Sequence, residues 1–182
     1  DTDDITYFDN KQLLGSGGQG SVYRIKLHGN VCAAKEITFY ECRTQTEYIK
    51  KVEKVKNEFL IMIKGNQCPN IIQTYGVVEA RDNLLLVMEY APNGSLREYL
   101  SQEDTPLSKG VVYSLISQIA LAMKYLYTHG VEHRDLKADN VLLDDDLNAK
   151  LCDFGISKGY DFATRTKKPT MAGDVGGTTQ WK

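Results

Sequence analysis

The spacing of apolar positions changes along this chain, and the change divides it. Residues 21–27, Ser-Val-Tyr-Arg-Ile-Lys-Leu, alternate apolar with polar and end at a turn, His28-Gly29-Asn30. Such alternation puts every second side chain on one face of a strand. Residues 31–37 form a second β-like run, so the two should make a hairpin. Next, Ile49, Val52, Val55, Phe59, Met62 and Ile63 recur at three and four, which predicts one stripe of an amphipathic helix. Its lysines, Lys50, Lys51, Lys54 and Lys56, interleave with Glu47, Glu53 and Glu58 and read as the solvated face. Residues 71–78 and 84–90 read as two more strands.

The character shifts at Ala91-Pro92-Asn93-Gly94. Ser95-Leu96-Arg97-Glu98 is a capping box and predicts a short helix. Ser108 caps a longer one, with Val111, Val112, Leu115, Ile116, Ile119, Met123 and Leu126 on its buried side and Gly130 just beyond. After Gly155 the pattern dissolves into Gly, Thr and Lys. The expected class is α+β: a flanking segment 1–12, a β-rich part 13–91 with one helix, and a helical part 92–182.

Composition adds exclusions. With 22 basic and 24 acidic side chains the net charge is -2, which argues against nucleic acid as a partner. No unbroken apolar stretch is longer than that of residues 84–88, far too short to span a bilayer, and the opening Asp1-Thr2-Asp3-Asp4 is no signal peptide. The chain opens without Met, so its start is expected to be cut or processed. Cys32, Cys42, Cys68 and Cys152 show neither metal nor disulfide spacing, which predicts free thiols in a reducing setting: cytoplasmic, or the cytoplasmic portion of something larger.

Candidate chemistry begins at Gly15-Ser16-Gly17-Gly18-Gln19-Gly20-Ser21-Val22. A dinucleotide fold would need these glycines to open a helix, and they lead into a β run instead. A P-loop needs Lys after the last glycine, where Ser21 stands. What remains is a hairpin of small residues whose backbone can lie close over phosphates. Lys35, ending Val31-Cys32-Ala33-Ala34-Lys35, shares a strand face with Ala33 and so points towards the interior. An ammonium there needs an anion; Glu58 on the predicted helix is the first candidate and Glu53 the second. The strongest signal is His133-Arg134-Asp135-Leu136-Lys137-Ala138-Asp139-Asn140, followed by Asp153-Phe154-Gly155. Between them, Val141-Leu142-Leu143 and Lys150-Leu151-Cys152 suggest a hairpin around Asp144-Asp145-Asp146.

Taken together these residues resemble a eukaryotic protein kinase domain from Gly15 to Lys182: G-x-G-x-x-G-x-V, a strand Lys, a helix Glu, H-R-D-x-K-x-x-N and D-F-G, in that order. Cys32-Ala33-Ala34-Lys35 stands where V-A-I-K is commoner. The resemblance implies a bilobal fold, ATP and Mg²⁺ as cofactors, and transfer of the γ-phosphoryl group to Ser/Thr hydroxyls of a protein substrate. Lys35 would hold the α/β-phosphates and Glu58 would fix Lys35. Asp135 would accept the hydroxyl proton, Lys137 would stabilise the γ-phosphate, and Asn140 with Asp153 would ligate Mg²⁺. The nucleotide site would comprise Leu14, Gly15, Ser16, Gly17, Gly18, Gln19, Gly20, Ser21 and Val22. Ala33, Lys35, Met88, Leu142 and main-chain groups of Glu89 and Ala91 would complete it. Cys152 would be a small buried hydrophobe beside Asp153.

The resemblance also makes residues 155–182 an activation segment. Gly177-Thr178-Thr179-Gln180-Trp181-Lys182 matches the stretch before the family's A-P-E, and with Lys137 implies Ser/Thr specificity within the tyrosine-kinase-like group. Arg134 would meet a phosphate on Thr164, Thr166, Thr170 or Thr179, with Asp174 supplying part of that charge. The chain stops where A-P-E should begin, so these 182 residues are expected to be a fragment, weakly active or inactive alone, with apolar helix faces uncovered. The alternative class is a pseudokinase or nucleotide-binding scaffold, whose usual sign, a missing Lys, Asp or Asn, is absent from the set.

Overall fold

Two short strands, β1 (Ile5–Tyr7) and β2 (Leu13–Gly17), precede the alternating run, which forms β3 (Gly20–Leu27). The structure, a computed structural model, describes residues 5–7, 12–17, 20–80, 83–102, 106–161 and 166–167. β3 turns into β4 (Asn30–Thr38) through His28 and Gly29, at φ 48° and 82°. Two successive positive φ values make a tight turn whose twist suits a two-residue hairpin, and Gly29 takes its value without a steric penalty. Helix α1 (Gln45–Gly65) follows, then β5 (Thr74–Ala80) and β6 (Asn83–Glu89). The sheet runs β1-β3-β4-β6-β5, with β2 also on β3, and every pairing is antiparallel.

Register sorts the sheet into two faces. Ile25, Cys32, Ala34, Leu85 and Val87 form a buried cluster on one, with Tyr23, Leu27 and Val78 packed against it. Burying a side chain such as Ile25, with no exposed surface, contributes about 1.5–3 kcal/mol. On the other face Val22 pairs with Lys35 and Ala33 with Met88.

Helix α1 opens with a reciprocal cap: Glu47 N–H donates to Thr44 Oγ1 (3.2 Å), while Glu47 Oε2 accepts from Thr44 and Arg43 N–H (3.2 and 2.7 Å). The predicted stripe is rotated. Val55, Glu58, Ile61 and Met62 are buried, whereas Ile49 and Ile63 are exposed. The cause is Glu58, which commits the helix face to an ion pair rather than to the most apolar arc. Lys50, Lys54 and Lys56 are solvent-exposed as expected, and Lys50, Lys51 and Lys54 with Glu36, Glu41 and Glu58 line a cavity of about 620 Å³ of mixed charge.

The chain divides into two compact units, residues 1–59 with 73–90 and residues 60–72 with 91–182. Residues 60–72, which the sequence division places in the first part, thus pack with the second. Ile71, read as the start of a strand, instead makes a single bridge to Leu151 and is fully buried, as is Ile72. An apolar run with no alternation cannot distinguish a strand from a buried loop.

The second unit holds α2 (Leu96–Gln102) and α3 (Lys109–Thr128), then β7 (Val131–Glu132), β8 (Val141–Leu143), β9 (Ala149–Leu151), β10 (Lys158–Asp161) and β11 (Thr166–Lys167). Of its five short strands, β8 and β9 are the hairpin expected within this helical part, and β7, β10 and β11 go beyond that expectation. The α2 cap is reciprocal: Ser95 N–H and Oγ donate to Glu98 Oε2 (2.9 Å each), and Glu98 N–H returns to Ser95 Oγ (3.2 Å). Ser108 Oγ accepts Val111 N–H at 3.3 Å, starting α3. On α3, Leu115, Ala122 and Leu126 are buried, but Val112 and Ile116 are 38% and 58% exposed. Neighbouring helix residues stand about 100° apart, so Leu115 and Ile116 cannot both centre the buried face. Strands β8 and β9 pair as an antiparallel hairpin, and β10 joins β7 and β11. Among the described residues no helix is long and apolar enough to cross a membrane.

Candidate active site

In the first unit, Leu14, Gly15, Ser16 and Gly17 lie on β2 and Gly20, Ser21 and Val22 on β3; Gly18 and Gln19 lie outside the described residues. Gly20 has φ 126°, and a Cβ there would overlap the carbonyl oxygen of Glu36. Only glycine allows this approach of β3 to β4. Lys35 Nζ meets Glu58 Oε1 at 2.6 Å, with both residues buried. Two charges taken out of water survive there because each is the other's partner. Glu53 is solvent-exposed.

Val22, Ala33, Lys35 and Met88 share one face by register, giving Lys35 apolar neighbours. Glu89 donates its N–H to Gln73 O (2.8 Å), and its carboxylate accepts Gln73 N–H (3.0 Å).

The second unit holds Ala91 and Leu142, buried and half-buried, and the polar constellation. Asp135 is 8% exposed. Its Oδ2 takes Lys137 Nζ at 2.9 Å and Asn140 Nδ2 at 3.0 Å, and Asn140 Nδ2 also donates to the Asp135 main-chain oxygen at 2.8 Å. A 3-10 turn, Ala138–Asn140, brings Asn140 back towards Asp135. The hydrogen bond to Asp135 raises the Lys137 pKa above its usual value, burial opposing more weakly, so Lys137 stays an ammonium.

His133 is buried; its Nε2 faces the Cys152 carbonyl (2.9 Å), and its ring stands edge-on to Phe154 with centroids 5.1 Å apart. Ser157 Oγ donates to the His133 carbonyl at 3.0 Å. Cys152 N–H donates to Asn140 O at 2.9 Å, joining the two ends of the β8–β9 hairpin. Cys152 is half-buried, not buried as expected. Arg134 and Asp153 have φ 72° and 61°, left-handed values unusual for side chains other than glycine. Arg134 Nη1 is buried with no hydrogen-bond partner among the described residues. Thr164, Thr170, Asp174, Gly177, Thr178, Thr179 and Trp181 lie outside them, and of Thr166 the backbone alone is described, in β11.

Asn140 spends its amide nitrogen twice on Asp135, which leaves its oxygen as the atom suited to a hard cation. With the Asp153 carboxylate this donor set fits Mg²⁺, which takes one or two protein oxygens and completes its shell with water and phosphate. Among the described residues no group of three His, Cys, Asp or Glu forms a metal cluster.

Two residues that hold this hairpin were missed by the motif reading. Asn70 follows Cys68-Pro69, and Gln118 lies on the buried side of α3 between Leu115 and Ala122. A polar residue on a buried stripe is the signal that could have found Gln118.

A family model described as protein kinase domain matches residues 8–181. The chain belongs to the protein kinase domain family, and its α+β architecture is that fold. Mouse NUAK family SNF1-like kinase 1 is 36% identical over 155 residues, covering 84% of this chain and 23% of that protein. L-type lectin-domain containing receptor kinase V.5 of Arabidopsis thaliana is 32% identical over 176 residues, 93% of this chain and 25% of the relative. A probable serine/threonine-protein kinase of Dictyostelium discoideum is 30% identical over 181 residues, all of this chain and 19% of the relative. The chain thus spans a third or less of the length of the curated relatives it matches.

Proposed function

We propose that the protein containing this chain is an ATP-dependent kinase that phosphorylates Ser/Thr hydroxyls of protein substrates. The observation that carries the reading is Asp135, whose Oδ2 is held between the Lys137 ammonium and the Asn140 amide. A carboxylate fixed in this way is an oriented acceptor for the proton of an incoming hydroxyl. Lys137, kept charged by the same bond, brings positive charge to where a transferring phosphoryl group spreads negative charge. Asp153 and Asn140 would hold Mg²⁺, which when bound neutralises phosphate charge and orients the nucleotide.

Residues 13–91 serve as the nucleotide-binding lobe in this reading. Lys35, steadied by Glu58, takes the α/β-phosphates, and the β2–β3 glycine-rich segment, Leu14 to Val22 with Gly18 and Gln19, covers them. Val22, Ala33, Met88 and Leu142 supply apolar walls for the base, and Glu89 and Ala91 supply main-chain contacts. Residues 92–182 bring the catalytic loop and activation segment. Lys137 and the similarity to a probable serine/threonine-protein kinase of Dictyostelium discoideum support Ser/Thr acceptors. Four free thiols support a reducing, cytoplasmic setting. Tyr113, Ile116 and Leu121 on α3 are each more than half exposed, which supports weak activity or none for these 182 residues alone.

The test is γ-phosphate transfer to a Ser/Thr peptide by the full-length protein and its Asp135→Asn variant. Transfer should fall about 100- to 10,000-fold while ATP binding persists. Equal rates in the two would overturn the catalytic reading and leave a nucleotide-binding module.

A further inference from the structure

The edge of β9 turned away from β8 is satisfied by two side-chain amides and by the main chain of residues 70–72. Ala149, 1% exposed, donates its N–H to Gln118 Oε1 at 2.6 Å, and its carbonyl accepts Asn70 Nδ2 at 3.2 Å. Leu151 donates its N–H to the Asn70 carbonyl at 2.8 Å and accepts Ile72 N–H at 3.0 Å. Gln118 Nε2 donates to Asn148 Oδ1 (3.2 Å) and Ser114 Oγ (3.1 Å). Asn148 in turn donates to the Asp144 carboxylate from its N–H (2.8 Å) and its Nδ2 (3.2 Å), closing the hairpin turn. Each polar group of Ala149 left without a partner at this depth would be destabilising, because no water replaces the lost bond.

We propose that Gln118 and Asn70 are positioning residues: two carboxamides grip Ala149 by its N–H and its carbonyl and thereby fix where β9 delivers Asp153 relative to Asn140. The inference rests on the kinase reading above. Its physical path is short. Asn140 immediately precedes β8, Asp153 stands two residues beyond β9, and the Cys152 N–H to Asn140 O bond joins them. A three-residue strand has no slack to absorb a shift, so movement at Ala149 is passed to that bond. Asn70 acts on the same strand at both Ala149 and Leu151, while Gln118 acts at Ala149 and, through Asn148, at the turn.

The test uses the full-length protein, with binding of the fluorescent nucleotide mant-ADP titrated against free Mg²⁺ and amide hydrogen exchange followed at Ala149. In Gln118→Ala the Mg²⁺ needed for half-maximal mant-ADP binding should rise about fivefold, less than the roughly 10- to 100-fold for a group bonded directly to a metal ligand. Binding without Mg²⁺ should match wild type. Gln118→Glu keeps an acceptor for the Ala149 N–H but loses the donor to Asn148 Oδ1, so its Mg²⁺ requirement should fall between those of Gln118→Ala and wild type, a partial rescue that loss of packing alone would not produce. Should Gln118→Ala fail to fold, Gln118→Asn, one methylene short of Ala149, carries the same expectation. Faster exchange at Ala149 with an unaltered Mg²⁺ requirement would overturn the proposal. Wild-type binding that ignores Mg²⁺ would overturn the kinase reading with it, a result separate from failure of the variant alone.

Discussion

His133 Nδ1 accepts the main-chain N–H of Asp135 at 3.2 Å, so the ring that supports the proposed base must keep that nitrogen bare. Its other nitrogen then carries the proton and donates to the Cys152 carbonyl. Burial holds the His133 pKa below its usual 6.5, against opposing pulls from the Cys152 carbonyl and the Asp153 and Asp135 charges. Between the folded and unfolded pKa values the unfolded chain binds more protons, so stability rises with pH there. The contribution is complete above about pH 6.5 and is lost as pH falls towards the lower folded value. Urea midpoints of the full-length protein should therefore drop on acidification, and His133→Gln should flatten the acid limb. An unchanged limb in that variant would contradict the assignment.

The Lys35–Glu58 pair makes a prediction of a different kind. Replacing one partner strands a buried charge, so Lys35→Met or Glu58→Leu should each cost about 3–5 kcal/mol. The double replacement should cost much less than the sum, because no charge is left alone. A denaturation double-mutant cycle measures the difference. Additive losses would mean that the pair does not couple.

By contrast Arg97 and Asp139, bonded at 2.8 Å, both face solvent. The Arg97 guanidinium holds the Asp139 carboxyl below its usual range, yet water and salt screen the pair. Arg97→Ala should change stability by less than about 1 kcal/mol, and 1 M salt should abolish the difference. A larger, salt-insensitive loss in the melting comparison would show that Arg97 does more than pair with Asp139.

Gly20→Ala should disrupt the sheet where Ser21 faces Glu36. It adds a Cβ against the Glu36 carbonyl at a φ that side chains avoid. A loss of about 1–3 kcal/mol is expected, with faster amide exchange at the ends of β3 and β4. Gly29→Ala meets no neighbouring atom and bears only the strain of its φ, so it should cost less. Equal losses in the two variants would show that the close approach adds nothing.

Sequence pattern made some of this molecule plain and hid the rest. The β3–β4 hairpin, the Ser95 and Ser108 caps and the order of the chemical residues could be read because each depends on neighbours in sequence. The α1 stripe misled at Ile49 and Ile63 because a buried ion pair, not apolar content, orients the helix. Ile71 and Ile72 looked like a strand because buried loops and buried strands share the same apolar run. Strands β1, β10 and β11 showed no alternation, since two to four paired residues are too few to display a period. Gln118 and Asn70 were invisible as site residues because their role depends on Ala149, 31 and 79 positions away.

Arg134 and Asp153 hold backbone angles that glycine would adopt more easily, at about 1–2 kcal/mol each for a residue with a Cβ. Gly at either position should relax the chain while removing the guanidinium or the carboxylate. Breeding this domain for heat resistance alone would therefore favour changes that erase its chemistry at these two positions. A library selected only for folding should enrich Gly or Asn there, and one selected for phosphoryl transfer should not.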